Sequence, residues 1–129
     1  MKQLLFSLCA ICAIFSLQSC NKNTIRYGKE WELTELKGEQ VPAGVRIMVV
    51  FDEANKRYGG TASCNNYTGT FKLEGSVLKL SNPGVTKKAC PDMTWENKYL
   101  PILTKIDTWA VMDGKLQLSS EGNVVAVYK

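Results

Sequence analysis

The sequence contains no histidine, and this absence excludes several kinds of chemistry. Without histidine there is no Ser-His-Asp triad, no Cys-His pair and no histidine-bearing zinc site. The residue that most often serves as a general base near neutral pH is missing as well. We therefore expect no enzymatic activity and no catalytic residue, and we expect neither a cofactor nor a bound metal.

Long apolar runs are also missing, except for one near the start of the chain, from Leu4 to Leu17. Lys2 precedes this run and polar residues follow it, which is the layout of a secretory signal peptide. The run is too short for a helix that spans a bilayer, which needs about 20 apolar residues. We predict a signal peptide over residues 1–19, and a transmembrane or buried helix is the alternative.

Cys20 directly follows the predicted signal peptide, and its position resembles the lipid attachment site of bacterial lipoproteins. Leu17 and Ser19 fit that signal, because an aliphatic residue stands three positions before the cysteine and a small residue directly before it. An unmodified cysteine near an ordinary cleavage site is the alternative. We expect Cys20 to carry lipid, residues 20–28 to form a lipidated tether, and the membrane to be a partner through this anchor.

The residues after Cys20 bear on where the anchored protein resides. Asn21 rather than aspartate occupies the second position, which by analogy with well-studied envelopes favours the outer membrane. No acidic cluster follows, so there is no signal for export to the cell surface. We expect a lipid-anchored protein of the bacterial cell envelope, at the outer membrane and facing the periplasm.

Charge of one sign is not concentrated anywhere in the chain. Sixteen Lys and Arg residues stand against twelve Asp and Glu residues, which gives a net charge of +4. The adjacent pair Lys87 and Lys88 is typical of a solvated face. Nucleic-acid binding needs a clustered basic surface, so we expect no nucleic-acid partner.

Cysteine is scarce once the signal peptide and the lipid site are set aside, since only Cys64 and Cys90 then remain. Disulfides persist in oxidising compartments such as the periplasm, so this pair is a candidate disulfide. Two buried free thiols are the alternative. A disulfide would stabilise the fold by about 3–4 kcal/mol in the chain-entropy model.

Short segments of alternating or β-branched residues, separated by turn signals, predict a mainly β fold. Val45–Phe51 and Tyr67–Leu73 are the clearest strands, and Val85–Ala89 is predicted as a further one. Gly59-Gly60 predicts a bulge or a close backbone approach. Apolar residues at helical spacing predict one helix before the last three strands, which Pro101 kinks or ends. We expect a small antiparallel barrel of about eight strands, because closure removes exposed edges.

Several short motifs follow one another along the chain. They are Trp31, Leu33, Leu36 and Gly38, then Gly59-Gly60, Cys64-Asn65, Tyr67 and Gly69, then Thr86, Ala89 and Cys90, and finally Glu96, Tyr99, Leu100 and Leu103. Their order and spacing resemble those of the META domain family, also called HslJ-like. The resemblance implies a lipocalin-like β-barrel over residues 29–129 and a bridged Cys64–Cys90 pair. Ser63 stands where the family usually has glycine, which implies a backbone conformation that glycine adopts easily.

The resemblance also implies a small envelope protein without an agreed enzymatic activity. We expect a non-enzymatic lipoprotein that contributes to stress tolerance or envelope integrity by binding an envelope protein or a small apolar ligand. The alternative is a periplasmic inhibitor of an envelope protease or lysozyme, with specificity in the loops Asp52–Arg57 or Ser81–Gly84. Asp92 and Glu96 lie one helical turn apart, but a helix cap and a solvated or turn-bonded glutamate fit them better than an acid/base pair.

Overall fold

The computed structural model describes residues 24–129, and this range contains ten strands. The predicted signal peptide and Cys20 lie outside the described residues. The strands are β1 (Trp31–Leu36), β2 (Glu39–Gln40), β3 (Met48–Asp52), β4 (Arg57–Thr61), β5 (Asn66–Glu74), β6 (Val77–Leu80), β7 (Gly84–Val85), β8 (Thr108–Met112), β9 (Lys115–Ser120) and β10 (Asn123–Tyr128). The helices are α1 (Thr94–Tyr99) and a 3₁₀ helix (Leu100–Lys105).

Eight of the strands form a closed antiparallel ring. Their order is β1, β3, β4, β5, β6, β8, β9 and β10, and β10 pairs back with β1. The two remaining strands lie off the ring, since β2 pairs with β1 and β7 pairs with β5. The prediction of a mainly β fold with about eight antiparallel strands and one helix before the last three strands is confirmed.

The longest strand, β5, has the buried and exposed faces that its alternating sequence predicts. Tyr67, Gly69 and Phe71 point into the ring and are buried, whereas Thr68 and Thr70 are exposed. Successive side chains of a strand face opposite sides of a sheet, so one apolar face is buried and one polar face is solvated. The predicted half-buried strand is therefore present.

The two glycines of β4 let neighbouring strands come close together. A Cβ atom at Gly60 would lie 2.0 Å from the carbonyl oxygen of Met48, and one at Gly59 would lie 2.4 Å from that of Tyr67. Any side chain at either position would force the backbone apart. β4 pairs with β5 at both glycines, and its pairing with β3 reaches Gly59 without a shift of register. The structure therefore has the predicted close approach and not the bulge.

The helical segment follows its apolar spacing, and Pro101 ends the α-helix as predicted. Proline is tolerated in a first helical turn but cannot continue an α-helix, so the chain changes to a 3₁₀ helix from Leu100. Trp95, Tyr99 and Ile102 are buried against the ring. Among residues 24–129 there is no helix with the length and apolar character to cross a membrane.

The predicted strand Val85–Ala89 is wrong in extent, because only Gly84–Val85 forms a strand. Pairing with β5 ends after Thr86, whose N–H donates to the carbonyl oxygen of Asn66. At Lys88 the backbone N–H and C=O are instead bonded to the side chain of Asn65. A side chain has thus taken the place of a neighbouring strand.

Large side chains fill the interior of the ring. The largest that are fully buried are Trp31, Tyr58, Tyr99, Tyr128, Phe51, Leu36, Ile47, Leu78, Leu103, Ile106, Leu116 and Leu118. Ile25 joins this core although it lies within the predicted tether. The domain interior is therefore a packed apolar core of the kind that stabilises small domains.

The ring has two ends that differ in composition. At one end the chain enters, since Gly28 donates a hydrogen bond to Phe51 and Tyr27 stacks on Phe71. We call this the entry end. At the other end β1 finishes at Leu36 beside the 3₁₀ helix, and α1 lies there too. We call this the helix end.

Candidate functional site

A disulfide joins Cys64 and Cys90 at the helix end. Cys64 lies in the loop after β4 and Cys90 lies shortly before α1, and their Cα atoms are 6.1 Å apart. The bond therefore ties the ring to the helical segment across 26 residues of sequence. The disulfide was predicted because Cys64 and Cys90 are the two cysteines left after the signal peptide and Cys20, and because META domains imply a bridged pair. The alternative of two free thiols is wrong.

Ser63 precedes the disulfide in a conformation that suits glycine. Its φ is +80°, in the left-handed region where a side chain is strained. The backbone N–H of Ser63 donates to the carbonyl oxygen of Arg46, which holds the loop against the chain before β3. Serine at this position therefore holds the backbone in a conformation that glycine would adopt without strain.

Asn65 is the centre of a buried hydrogen-bond network, and only 3% of its surface is exposed. Its side-chain Nδ2 donates to Glu96 Oε2 at 2.7 Å and to the carbonyl oxygen of Lys88 at 3.1 Å. Its Oδ1 accepts from the Lys88 N–H at 2.6 Å and from the Thr86 hydroxyl at 2.9 Å. One side chain therefore connects a loop, the segment after β7 and α1. We call this the Asn65 network.

Glu96 is a buried carboxylate that the Asn65 network stabilises. Its Oε1 accepts from the backbone N–H of Asn65 at 2.6 Å, so both of its oxygens are bonded to the same residue. Within residues 24–129, no lysine or arginine forms an ion pair with it. Charge-assisted hydrogen bonds take the place of a counter-ion. The prediction of a turn-bonded glutamate is right, and its solvated alternative is wrong.

The structure does not bring Asp92 and Glu96 together as an acid/base pair. Asp92 is exposed and its Oδ1 accepts from the backbone N–H of Thr94 at 2.9 Å. This hydrogen bond lowers the pKa of Asp92. The expected helix cap at Asp92 is wrong, because Met93 occupies the N-cap position of α1 and no side chain caps it. Glu96 faces inward to Asn65 instead, so the two carboxylates have separate partners.

Three tyrosines form a chain of hydroxyl groups inside the ring. Tyr67 donates to the carbonyl oxygen of Met48 at 2.8 Å, its hydroxyl lies 2.8 Å from that of Tyr99, and Tyr99 lies 3.0 Å from Tyr128. Burial raises the pKa of all three tyrosines. Burial also raises the pKa of Tyr58 to about 12. These hydroxyls are held neutral and contribute polar links to the core.

Two clefts open on the surface of the helix end. The first has a volume of about 350 Å³ and is lined by Leu36, Lys37, Glu39, Asn97, Lys98, Pro101, Ile102 and Lys105. We call it the lysine cleft. The second has a volume of about 280 Å³ and is lined by Gly44, Val45, Ser63, Cys64, Cys90, Pro91, Asp92 and Trp95. The Asn65 network holds in place the helical segment that both clefts share.

Apolar and basic groups together define the lysine cleft. The side chains of Leu36 and Ile102 are buried, whereas its three lysines are exposed. Lys98 is bonded to Glu39 at 3.0 Å, and its ammonium lies 5.0 Å from the ring centre of Trp95. With three lysines against one glutamate, the rim is positively charged. The arrangement suits a group that has both apolar surface and negative charge.

Sequence reasoning identified the disulfide, Asn65 and Glu96 but missed the lysine cleft. The cleft joins residues 36–39 to residues 97–105, and neither segment has a motif that signals the other. The three tryptophans lie in different surroundings. Trp31 is in the core, Trp95 lines the cleft beside the disulfide, and Trp109 is half-buried near the entry end.

The two loops considered for inhibition are tied to their own strands. Asp52–Arg57 is a tight turn in which Asp52 accepts from the backbone and side chain of Asn55. In Ser81–Gly84, Ser81 bonds to Thr70 through its N–H and its hydroxyl, and its carbonyl accepts from Tyr58.

Residues 24–129 contain no group of three or more acidic, cysteine or histidine side chains placed to hold a metal ion.

Two solved structures are similar in fold, with identities too low to indicate more. An NMR structure of a protein from Burkholderia xenovorans matches with a TM-score of 0.64 at 23% identity, covering 80% of this chain and 81% of that one. A second NMR structure matches with a TM-score of 0.60 at 20% identity, covering 78% and 86%.

Among curated proteins, no match to the chain was found. The family model of the META domain, in contrast, matches residues 23–129, which is nearly all of the chain after the predicted signal peptide. The match includes the Cys64-Asn65 loop, the segment that ends at Cys90 and the helix that carries Glu96. The chain belongs to the META domain family.

Proposed function

We propose that this META-domain protein is a non-enzymatic binding module, anchored by lipid on Cys20 to the outer membrane and facing the periplasm. Its role is to support stress tolerance or envelope integrity by binding a protein or ligand in the lysine cleft. The observation that carries the proposal is this cleft, in which three lysines surround an apolar floor. Its partner is expected to present acidic and apolar groups together.

The packed interior favours a surface site over a central one. A ligand inside the ring would have to displace fully buried side chains such as Tyr99 and Leu103. Removing large side chains from a core costs about 2–5 kcal/mol each, so an internal site has a high energetic cost. The lysine cleft is open, and binding there requires no displacement of the core.

The helix end is also well suited to present a fixed surface. The disulfide and the Asn65 network hold the segment that precedes and forms α1. Preorganised surfaces lose less conformational entropy on binding, which improves affinity. A rigid cleft with charge at its rim therefore favours binding of a specific partner.

Photo-crosslinking in cells tests the binding site. A photo-crosslinking amino acid at Asn97, inside the cleft, is compared with one at exposed Lys87, outside it. We expect a discrete adduct from Asn97 alone, and equal adducts from both positions would contradict the proposal. An adduct with an envelope hydrolase whose activity falls on binding would instead support the inhibitor function.

Charge dependence makes this test specific. In a cleft variant, the lysines of the rim are replaced by Lys37→Gln, Lys98→Gln and Lys105→Gln. A control variant carries the same change of charge outside the cleft, with Lys72→Gln, Lys79→Gln and Lys87→Gln. We expect the Asn97 adduct to be lost in the cleft variant and kept in the control. Equal loss in both would indicate attraction by net charge only.

The anchor has its own test. Cys20→Ala removes the proposed lipid site, and we expect the protein to move from the membrane fraction to the soluble fraction. Lipid chains bind membranes by about 0.8 kcal/mol per buried methylene, so two or more chains anchor a protein stably. Retention of the Cys20→Ala variant in the membrane fraction would contradict a lipid anchor at this residue.

A further inference from the structure

The exposed apolar side chains of the domain are concentrated at the entry end. Among residues 24–129, four large apolar side chains are exposed: Tyr27 (36%), Val77 (44%), Met112 (56%) and Val124 (45%). Isolated apolar residues on a surface are ordinary, but a group on one end of a domain indicates an interaction surface. Three of these four lie at the entry end, as the strand connections establish.

The β5–β6 turn places Val77 at the entry end. β5 begins at the helix end, next to Asn65, and runs away from it, so the turn that follows Glu74 is at the opposite end. Val77 is the first residue after this turn. The half-buried Trp109 lies against the same turn, since its Nε1 donates to the carbonyl oxygen of Gly75 at 2.8 Å.

The β8–β9 hairpin places Met112 at the same end. Met112 is the last residue of β8 and pairs with Lys115 across the hairpin turn. Leu116, the next residue, pairs with Tyr128 near the end of β10, and Lys129 is bonded to Glu32 at the start of β1. The start of β1 is where the chain enters. Tyr27 lies in the entering segment itself.

Chain length outside the described fold limits how far this end can be from a membrane. Ile25 is buried in the core, with 2% of its surface exposed. Ile25 is five residue steps along the chain from Cys20, and an extended chain spans at most about 3.6 Å per residue. A lipid on Cys20 would therefore hold the core within about 18 Å of the bilayer surface.

We propose that the entry end rests directly on the phospholipid bilayer, with Tyr27, Val77, Trp109 and Met112 in its interfacial region. The proposal rests on the lipid anchor of the proposed function. Tryptophan and tyrosine favour the membrane interface, because their rings combine an apolar body with a polar group. The polar group of Trp109 is already bonded to Gly75, and the ring beside it remains partly exposed.

Charge at the hairpin tip is compatible with this contact. Asp113 follows Met112 in the chain and Lys115 pairs with Met112 across the hairpin, so the tip has one charge of each sign. Such a tip is neither strongly attracted to nor strongly repelled by lipid headgroups, and the apolar contact decides the orientation. Docking by this end points the helix end and the lysine cleft away from the membrane, toward the periplasm.

The test uses the full lipidated chain in vesicles of phosphatidylethanolamine and phosphatidylglycerol. A polarity-sensitive fluorophore is placed on Met112→Cys, and the matched control carries it on Val124→Cys. Both positions are exposed and apolar, and they lie at opposite ends of the β8–β9–β10 sheet. The other cysteines are expected to be lipidated or disulfide-bonded, so each variant offers one free thiol.

We expect the Met112 fluorophore to emit at shorter wavelength and to be protected from aqueous iodide, whereas the Val124 fluorophore stays accessible. Equal quenching of both, in protein that floats with the vesicles, would overturn docking and leave the anchor intact. Protein that does not float would overturn both proposals. Protection of Met112 in the vesicle-free Cys20→Ala protein would show that a second copy covers this end, and would overturn membrane docking.

Discussion

The helix end and the entry end of the ring are built differently. At the helix end, residues far apart in sequence are joined by a disulfide and by the buried hydrogen bonds of Asn65. At the entry end, local turns and hairpins leave apolar side chains exposed. The links between distant segments and the exposed apolar side chains therefore lie at opposite ends of the ring. One end is held by a disulfide and buried hydrogen bonds, and the other is the end that we propose contacts the membrane.

Asn65→Ala should have the largest effect on stability. The change removes four side-chain hydrogen bonds and leaves one oxygen of the buried Glu96 without its partner. Each buried group left without a partner costs about 1–3 kcal/mol, so we expect a loss of about 3–5 kcal/mol in the free energy of unfolding, measured in urea. The matched control is Asn55→Ala, which removes an exposed turn bond at the entry end and should cost under about 1 kcal/mol. Similar losses for both would remove the difference between the ends.

Loss of the disulfide should be nearly as costly. The double variant Cys64→Ser/Cys90→Ser frees a loop across 26 residues, and we expect a loss of about 3–4 kcal/mol in the free energy of unfolding. The urea midpoint of the native protein should fall in reductant, whereas that of the double variant should not change. If reductant leaves the native midpoint unchanged, the disulfide contributes little to the helix end.

Raising the pH should destabilise the protein through its core tyrosines. Burial raises the pKa of Tyr67, Tyr99 and Tyr128 above the ordinary value of 10.0. The folded state therefore holds these protons more tightly, so the stabilisation is complete below pH 10 and is lost as the pH rises above it. Each tyrosine should remove up to about 1.4 kcal/mol per pH unit there.

Thermal unfolding at about pH 9 and about pH 11 measures this effect. Tyr99→Phe should reduce the loss between the two pH values by the share of one tyrosine. Tyr27→Phe, at the entry end, should change it much less, because Tyr27 is partly exposed. Equal changes from the two variants would show that burial does not distinguish these tyrosines.

Ser63→Gly should give the smallest effect, with the opposite sign. Glycine adopts a φ of +80° without the strain of a side chain, so we expect a gain of about 1 kcal/mol in the free energy of unfolding. Ser120→Gly, at the end of β9, is the control and should cost about 0.5–1 kcal/mol. A loss at Ser63 would show that its loop is not strained.

Local patterns in the sequence predicted the ring well. Alternation in Tyr67–Leu73 located β5, and helical spacing with Pro101 located the helical segment and its change of type. These features depend on neighbours in sequence, which periodicity reports directly. The strand at Val85–Ala89 was predicted too long, because Asn65, more than twenty residues away, bonds the backbone of Lys88.

Contacts between distant segments at the helix end could not be predicted from the sequence, because local patterns do not report which distant residues meet. The resemblance to META domains identified Asn65 and Glu96 separately, but not the hydrogen bonds between them across 31 residues. The lysine cleft and the burial of Ile25 likewise depend on how distant segments meet. The lipid anchor at Cys20 lies outside the described residues and stays a prediction.

Photo-crosslinking from both ends in one experiment tests whether the helix end binds a protein while the entry end contacts lipid. The full lipidated chain carries the photo-crosslinking amino acid at Asn97, at the helix end, or at Lys115, at the entry end. We expect a protein adduct from Asn97 that needs the cleft lysines, and lipid adducts alone from Lys115. A protein adduct from Lys115 with none from Asn97 would show that the partners of the two ends are assigned wrongly.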